Sequence, residues 1–346
     1  MKKIVYISIS ILAIFSACEN QDWEFPDFDY STVYFAYQSP VRTITLGDDI
    51  YDNTLDNQHR CIIMATMGGV YENTKDIIIE VVVDNSLCDS LGMVNASGDT
   101  TLGLAMPSDY YTLPAEMQIV IPSGKFMGGI EVQLTDAFFA DPRSIKNTFV
   151  IPLVMTSVTN ADSILSGESE LDNPDRRIAG DWITVPKDYV LYAIKYINPW
   201  HGYYLRRGID NVTGNSGNTA LDTTYIYHEK YVEWDEVCEA ATRSMNEISL
   251  FLTTKEVGNI DLPFEIVATF DESNNCTLSN HPDIVSYTLS GNGAFVNDGD
   301  MWGDEERDVL YLNYTIDFGT TTHTVADTLV MRNRGVNFET FAPVVL

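Results

Sequence analysis

The side chains best suited to binding chemistry are aromatic rings in the second half of the chain. Trp200 follows Pro199 and Trp302 precedes Gly303, so both rings lie beside predicted turns. Indole and phenol rings stack on the C–H faces of sugars, while Asn, Asp and Arg side chains hydrogen-bond the hydroxyl groups. We therefore predict glycan-binding residues in this region, namely Trp200, Tyr203, Tyr204, Arg206, Trp234 and Trp302.

The same rings have a purely structural interpretation, because aromatic residues of small β domains mostly pack in the core. Tyr203 and Tyr204 are neighbours on one predicted strand, so only one of them faces the interior. Arg206 and Arg207 divide in the same way. Binding therefore requires rings that stand exposed at the surface.

Catalytic and metal-binding motifs are missing from the sequence. The five histidines have no metal-ligand spacing, and there is no HExxH, paired-cysteine, GxSxG, P-loop or dinucleotide-binding motif. The acidic stretch 297–306 fits a solvated hairpin loop, with calcium binding as its alternative. We predict a non-catalytic protein without a metal or cofactor. A small β-fold glycoside hydrolase with two carboxylates in a barrel mouth is the enzymatic alternative.

The charge balance restricts the partners. The 346-residue chain has 20 Lys and Arg against 50 Asp and Glu, a formal net charge of −30. Such a surface repels phosphate backbones and anionic membranes, so we predict no nucleic-acid partner. A neutral oligosaccharide or polysaccharide fits this surface better than a sulfated one.

The N-terminus has the pattern of an export signal that ends at a cysteine. Two lysines precede a 12-residue apolar segment, 4–15, which is shorter than the about 20 residues of a membrane-spanning helix. The following residues, 15–18, read FSAC and resemble the lipobox of bacterial lipoproteins, with Phe15 where Leu is usual. The resemblance implies a signal peptide over 1–17, lipidation of Cys18, and membrane attachment through the lipid alone.

The tether after the cysteine is acidic. Residues 19–24 read ENQDWE and resemble the surface-export signal of lipoproteins in Gram-negative glycan-degrading bacteria. The resemblance implies a lipid-anchored protein of the outer membrane, displayed at the cell surface, with residues 18–29 as its tether. A merely solvated tether is the alternative.

The remaining cysteines leave the disulfide state open. Export permits disulfides, and Cys61–Cys88 and Cys238–Cys276 are the simple pairings, one in each half of the chain. Cys61 also fits a plain buried thiol.

The first domain is predicted to be an immunoglobulin-like β-sandwich over residues 30–166. Short segments rich in Val, Ile, Tyr and Phe are bounded by Gly, Pro, Asn and Asp, which is typical of strands. Seven such strands without a long helical period fit the sandwich class. The predicted strands are 32–37, 41–46, 60–67, 76–83, 117–121, 129–134 and 148–155.

Four segments of this domain resemble one family: YYTLP (110–114), IVIPSG (119–124), FVIPL (149–153) and DSILSG (162–167). The family is the immunoglobulin-like N-terminal module of lipoproteins from Sus-like polysaccharide-utilisation loci. This module also precedes endo-β-N-acetylglucosaminidase domains and glycan-binding domains. It has no known catalytic residues of its own.

The second domain is predicted over residues 188–346, after a polar, proline-broken linker at 167–187. Eight short strands with short spacers fit an antiparallel β-barrel of lipocalin-like size, or a sandwich. The predicted strands are 189–197, 202–209, 224–232, 247–253, 263–270, 285–289, 309–317 and 322–331. The segments YINPWHGYYLRRG (196–208), MWG (301–303) and DTLVMRNRG (327–335) resemble a C-terminal domain of unassigned function found behind the same module.

These observations predict a surface lipoprotein that binds glycan for a polysaccharide-utilisation system without catalysis. The principal alternative is a structural subunit that assembles with an outer-membrane glycan transporter and binds no sugar. An exposed aromatic platform favours binding, a large flat apolar patch favours assembly, and a cleft with two suitably spaced carboxylates favours hydrolysis.

Overall fold

The computed structural model describes residues 27–256 and 258–346, and confirms the all-β class with 55% strand and 9% helix. The predicted signal peptide, Cys18 and most of the tether lie outside the described residues. Short helices α1 (Thr54–Asn57) and α2 (Asp136–Ala140) lie in loops. Within the described ranges, no helix is both long and apolar enough to cross a membrane.

The first domain contains most of the short strands. They are β1 (Thr32–Tyr34), β2 (Pro40–Thr45), β3 (Arg60–Gly68), β4 (Ile77–Val83), β5 (Leu91–Val94), β6 (Thr100–Ala105), β7 (Tyr111–Thr112), β8 (Gln118–Ile121), β9 (Met127–Leu134), β10 (Phe149–Thr159), β11 (Ser163–Ile164) and β12 (Tyr189–Ile197). They pair in the order β11-β1-β3-β9-β8-β4-β10-β12-β2. Each of the seven strands predicted for this domain is present.

Two layers of this sheet enclose one core. Strands β8 and β9 join at a single pair, Val120 and Gly129, and the layers on either side face each other. Alternate residues point inward, such as Ile63 on β3 and Ile79 on β4, as a period of two requires. Gly128 permits the close approach at the junction, because a Cβ atom there would lie 1.9 Å from the carbonyl oxygen of Val120.

The second domain is an eight-stranded antiparallel barrel. Its strands are β13 (Gly202–Gly214), β15 (Glu236–Ser244), β16 (Glu247–Glu256), β17 (Ile260–Phe270), β18 (Asn275–Asn280), β19 (Thr288–Trp302), β20 (Glu305–Asp317) and β21 (Thr321–Asn333). The barrel closes where β13 pairs with β21. The short strand β14 (Thr223–Tyr227) pairs with the end of β13. Of the two folds predicted for this half, the structure is the barrel.

The division of the chain differs from the predicted boundary at residue 188. Strand β12 pairs with β10 and β2 of the first domain, so it is not part of the barrel. The C-terminal strands β22 (Glu339–Thr340) and β23 (Ala342–Val345) also return to the first domain, where they pair with β2 and β5. The barrel is therefore inserted between β12 and β22, and the chain crosses between domains near residues 198–201 and 334–338.

The predicted linker at 167–187 packs against the first domain. Arg176 pairs with the buried Asp188 at 3.0 Å, and Arg177 donates to the backbone carbonyl of Asp89 at 2.6 Å. Glu168 forms a bridge with Thr184. The segment is thus a bonded loop of the sandwich, and the crossing between domains lies further along the chain.

The four cysteines of the described residues are buried free thiols, so neither of the simple disulfide pairings forms. Cys61 belongs to the core between the sandwich layers, and Cys88 to a separate core on the outer side of β10. Cys238 and Cys276 line the barrel interior. Burial raises the pKa of Cys61 and Cys276 to about 12, which keeps both thiols protonated at neutral pH.

Candidate functional site

Two adjoining cavities form one cleft that runs from the outer face of the sandwich to the junction with the barrel. The sheet lobe, of about 500 Å³, lies on the outer face of β3 and is floored by Ile62 and Met64. The junction lobe, of about 950 Å³, lies between the loop after β2 and the β19–β20 hairpin. The residues that line both lobes are Asp49, Tyr51, Val336 and Asn337. Binding sites are common at such domain junctions.

Three strongly exposed aromatic rings line the sheet lobe. Tyr37 is 58% exposed, Phe338 is 68% exposed and Tyr51 is 74% exposed. The ring centroids of Tyr37 and Phe338 lie 5.0 Å apart, with the planes tilted by 56°. The two rings come from opposite ends of the chain and meet because β22 pairs with β2. Large apolar rings held open to water at a cavity are typical of a binding surface.

A basic side chain forms part of the same lobe. Arg42 donates from Nη2 to Oδ1 of the buried Asp56, whose Oδ2 accepts from the backbone N–H of Thr45 at 2.8 Å. Burial raises the pKa of Asp56, although these two donors oppose the rise. The side chain of Arg42 is itself partly exposed, so its remaining N–H groups can donate to hydroxyl groups of a ligand.

Arg334 holds the two walls of the junction lobe together. Its guanidinium is buried and donates to four backbone carbonyls, from Leu46 (3.0 Å), Asp48 (2.7 Å), Asn198 (2.7 Å) and His201 (2.8 Å). Two of these carbonyls belong to the loop after β2 and two to the crossing between the domains. A single side chain therefore fixes both crossing segments against the first domain.

The junction lobe is mainly acidic. Asp298 and Glu306 line it, and the backbone N–H of Asp298 donates to Asp308 at 3.0 Å. Burial raises the pKa of Asp308, and the charges of Asp298 and Asp48 raise it further. This electrostatic field disfavours anionic ligands in the lobe. Tyr203, a predicted glycan-binding residue, lies here and is partly exposed.

Trp200 and Tyr204, two other predicted residues, are buried at one end of the barrel. The indole of Trp200 is 6% exposed and stacks on Phe270, with ring centroids 3.9 Å apart and planes 6° from parallel. The Tyr204 hydroxyl donates to the carbonyl of Trp200 at 2.7 Å. The expectation that the turn after Pro199 exposes this tryptophan is not met, because the ring turns inward to close the barrel.

The other two tryptophans of the barrel differ from each other. Trp302 is buried outside the barrel wall, beneath the guanidinium of Arg207, which lies 4.4 Å from the ring centroid. Trp234 is 62% exposed and meets Tyr231 edge to face at 4.7 Å. Of the predicted rings, Tyr203 and Trp234 are therefore the ones positioned to contact a ligand.

Arg206 lies inside the barrel in a buried ionic network. It bonds Asp327 through Nε at 3.1 Å and Nη2 at 3.0 Å, and donates from Nη1 to the carbonyl of Thr253 at 2.7 Å. The hydroxyl of Tyr314 donates to Asp327 at 2.6 Å. Burial alone lowers the pKa of Arg206, but the charge of Asp327 and its hydrogen bonds raise it overall. Gly208 leaves room for this pair, because a Cβ there would lie 1.9 Å from Asp327 Oδ1.

A second buried polar cluster, of Asp210, Thr254, Thr321 and His323, lies next to this network inside the barrel. Oδ2 of Asp210 accepts from the hydroxyl of Thr254 at 2.6 Å and lies 2.8 Å from Nδ1 of His323. The other imidazole nitrogen lies 3.2 Å from the hydroxyl of Thr321. Hydroxyl, imidazole and carboxylate follow the order of a proton relay, but all four side chains are buried. The barrel interior is therefore packed with side chains, as eight strands allow, and the accessible candidate site is the cleft outside it.

The cleft rings were missed by sequence reasoning. Tyr37 and Phe338 lie in the first domain and in the C-terminal return, whereas the residues predicted to bind glycan lie between positions 200 and 302. Their position beside Pro40 and Gly335 is the kind of turn signal that could have marked them as exposed.

Comparisons with known proteins identify relatives but no activity. A family model described as "Domain of unknown function (DUF5627)" matches residues 199–335, and a model described as "-like, N-terminal domain" matches residues 28–162. No curated protein matches the chain.

Solved structures give a fuller match. A crystal structure of a Bacteroides ovatus protein of unknown function is 43% identical, covers 92% of this chain and 100% of its own, and superposes with a TM-score of 0.84. Two further Bacteroides ovatus structures are 13% identical, each covering 89% of this chain and 97% of its own, with TM-scores of 0.38 and 0.39. One is a protein of unknown function and the other a multidomain protein including DUF1735. The identity of 43% and the coverage of the first structure show that this chain belongs to the family of that Bacteroides ovatus protein, and the DUF5627 match covers its barrel.

Proposed function

We propose that this protein is a surface lipoprotein that binds a neutral glycan in the cleft on the outer face of its sandwich, which continues to the junction with the barrel. The observation that carries the proposal is the presence of Tyr37, Tyr51 and Phe338, all strongly exposed, around one cavity of about 500 Å³. Stacking on such rings, with hydrogen bonds from a few fixed polar groups, is how a protein surface retains a sugar. Arg42 and the acidic loop residues supply those polar groups.

The biological setting of this proposal comes from the N-terminal sequence and the family resemblance. A signal segment followed by Cys18 supports lipid anchoring, and a Sus-like polysaccharide-utilisation system supplies the context. The sandwich then serves as a platform beside the membrane. The ligand passes to a neighbouring outer-membrane transporter, with which the protein assembles.

Removing the cleft rings is expected to abolish most glycan binding without unfolding the protein. The double variant Tyr37→Ala, Phe338→Ala should weaken binding by about 10- to 100-fold. This corresponds to a loss of about 1–3 kcal/mol of binding free energy from the missing ring contacts. Isothermal titration against β-glucan, xyloglucan, arabinoxylan, galactomannan and α-mannan oligosaccharides measures the effect. The chain should be used without residues 1–18, which keeps every described residue.

Phe251→Ala is the matched control, because Phe251 is an exposed ring on the outer barrel wall away from the cleft lining. Phe251→Ala should bind like wild type. Phe251→Ala and the double variant should both melt within about 2 °C of wild type. Equal binding by the double variant and wild type would place the glycan elsewhere. If no glycan of the panel binds the intact chain, the transporter-assembly subunit becomes the better proposal.

Lipid anchoring has its own test. Cys18→Ala removes the thiol that a diacylglycerol would modify, so the variant should accumulate unprocessed or leave the membrane fraction. Cys61→Ala, which removes a buried thiol later in the sequence, should fractionate like wild type. Fractionation and labelling with radioactive palmitate measure the outcome; unchanged labelling of Cys18→Ala would reject the anchor.

A further inference from the structure

Strands β14 and β15 pair one after the other with the same side of β13, and a loop that points outward separates them. On β13, Gly208 pairs with Tyr227 of β14, and Arg206 pairs with Glu236 of β15. Tyr227 and Glu236 are therefore only two ladder positions apart, although eight residues separate them in sequence. These eight residues, 228–235, leave the wall and return to it, and we name them the excursion loop.

The base of the excursion loop is fixed to the barrel. Asp235, at its end, is buried and accepts from Nε of Arg207 at 2.6 Å, while its other oxygen accepts from the backbone N–H of Glu229 at 2.9 Å. Arg207 lies between the two interrupted ladder positions and packs over Trp302. Backbone bonds from Trp234 to Tyr231 and from Asp235 to Val232 close a tight turn inside the loop.

This anchoring presents two aromatic rings to solvent. Trp234 and Tyr231 meet edge to face, so each restricts the motion of the other, and the indole keeps most of its surface open. Polar side chains of Lys230 and Glu233 are their neighbours in the loop. A rigid exposed ring with hydrogen-bonding groups beside it is pre-organised for stacking, because little conformational entropy is lost when a ligand binds.

We propose that the excursion loop is a second sugar-stacking site, and that it engages the same polysaccharide chain as the cleft. This inference rests on the proposed glycan-binding function. One open indole matches the area of a single sugar ring, whereas a specific protein interface buries about 800 Å² and about 20–30 residues per partner. The loop holds three acidic residues and one lysine, so its charge disfavours an anionic polymer and is compatible with a neutral one.

Two sites on one polymer make binding depend on chain length. A polysaccharide that contacts both sites gains avidity, because the second contact forms within the complex. An oligosaccharide that contacts the cleft alone gains none of this avidity. Trp234 then contributes to the retention of long chains.

The test compares the binding of Trp234→Ala and wild type to two forms of each glycan, the polymer and its hexasaccharide. The glycans are β-glucan, xyloglucan, arabinoxylan, galactomannan and α-mannan. Trp234→Ala should weaken polymer binding at least about tenfold and leave hexasaccharide binding unchanged. Trp234→Phe, which keeps a ring, should recover part of the polymer affinity. Phe251→Ala serves as the matched exposed-ring control. The cleft double variant should weaken binding of both probes.

The outcomes separate the two proposals. If Trp234→Ala binds the polymer as tightly as wild type does, the proposal of a second site is wrong, while the proposal of the cleft site stands. An equal loss on both probes also overturns the second site, since Trp234 would then belong to a single short-chain site. If wild type binds none of the probes, the glycan function and the second site fail together. Melting temperatures within about 2 °C of wild type establish that the exposed-ring variants are folded.

Discussion

Replacing Arg206 with methionine is expected to lower the free energy of unfolding of the barrel by about 3–5 kcal/mol, the cost of breaking a buried ion pair from one side. The guanidinium is 1% exposed and holds Asp327 through two bonds near 3 Å. Methionine has a similar length but supplies no charge and no donors. Asp327 then remains buried without both guanidinium donors and keeps the hydrogen bond from the Tyr314 hydroxyl. The carbonyl of Thr253 loses its bond from Nη1.

Urea unfolding monitored by tryptophan fluorescence measures this loss. Arg332→Met is the matched control, because Arg332 lies on β21 and is exposed; its effect should stay within about 0.5 kcal/mol. The double variant Arg206→Met, Asp327→Asn removes both charges and should be less destabilised than Arg206→Met alone. A single variant as stable as wild type would contradict the buried network.

Replacing Trp200 with alanine is expected to cost about 3–5 kcal/mol of stability, as for other large-to-small changes at buried aromatic residues. The indole stacks on Phe270 and its Nε1 donates to Asn274 at 3.3 Å, so truncation opens a cavity at the barrel end. Any loss of glycan binding in this variant should follow unfolding. Differential scanning calorimetry measures the change.

Trp234→Ala is the matched comparison, because it removes the same side chain from an exposed position. Its melting temperature should remain close to that of wild type, whereas Trp200→Ala should melt clearly lower. The opposite ranking would mean that Trp200 is the solvent-facing ring and would reverse the assignment of the two tryptophans.

Local sequence patterns determined the class of this protein and most of its strands. Alternating apolar residues bounded by Gly, Pro, Asn and Asp identify strands because a strand exposes its two faces in turn. Every strand predicted in the first domain is present, and the closed barrel is one of the two folds predicted for the second. The export signal ending at Cys18 is likewise predicted from a linear motif, and it stays a prediction.

Tertiary structure decided which sheet each strand joined. Strand β12 has the pattern of any buried strand, and its sequence neighbour β13 belongs to the barrel, so a boundary at 188 was the natural prediction. Its partners β2 and β10 are selected by packing against the sandwich core. The barrel instead includes β15 and β18, whose weaker patterns were not recognised. Pairing between distant segments is not encoded in the period of one strand.

Tertiary structure also decided which rings are available for binding. Trp200 and Trp234 both lie near turns, yet one closes the barrel and the other projects from a loop, because exposure depends on what packs around each ring. Tyr37 and Phe338 became neighbours only when the C-terminal strand returned to pair with β2. Residue type alone predicts the chemistry that a side chain can perform, while the packing of distant segments determines whether a ligand can reach it.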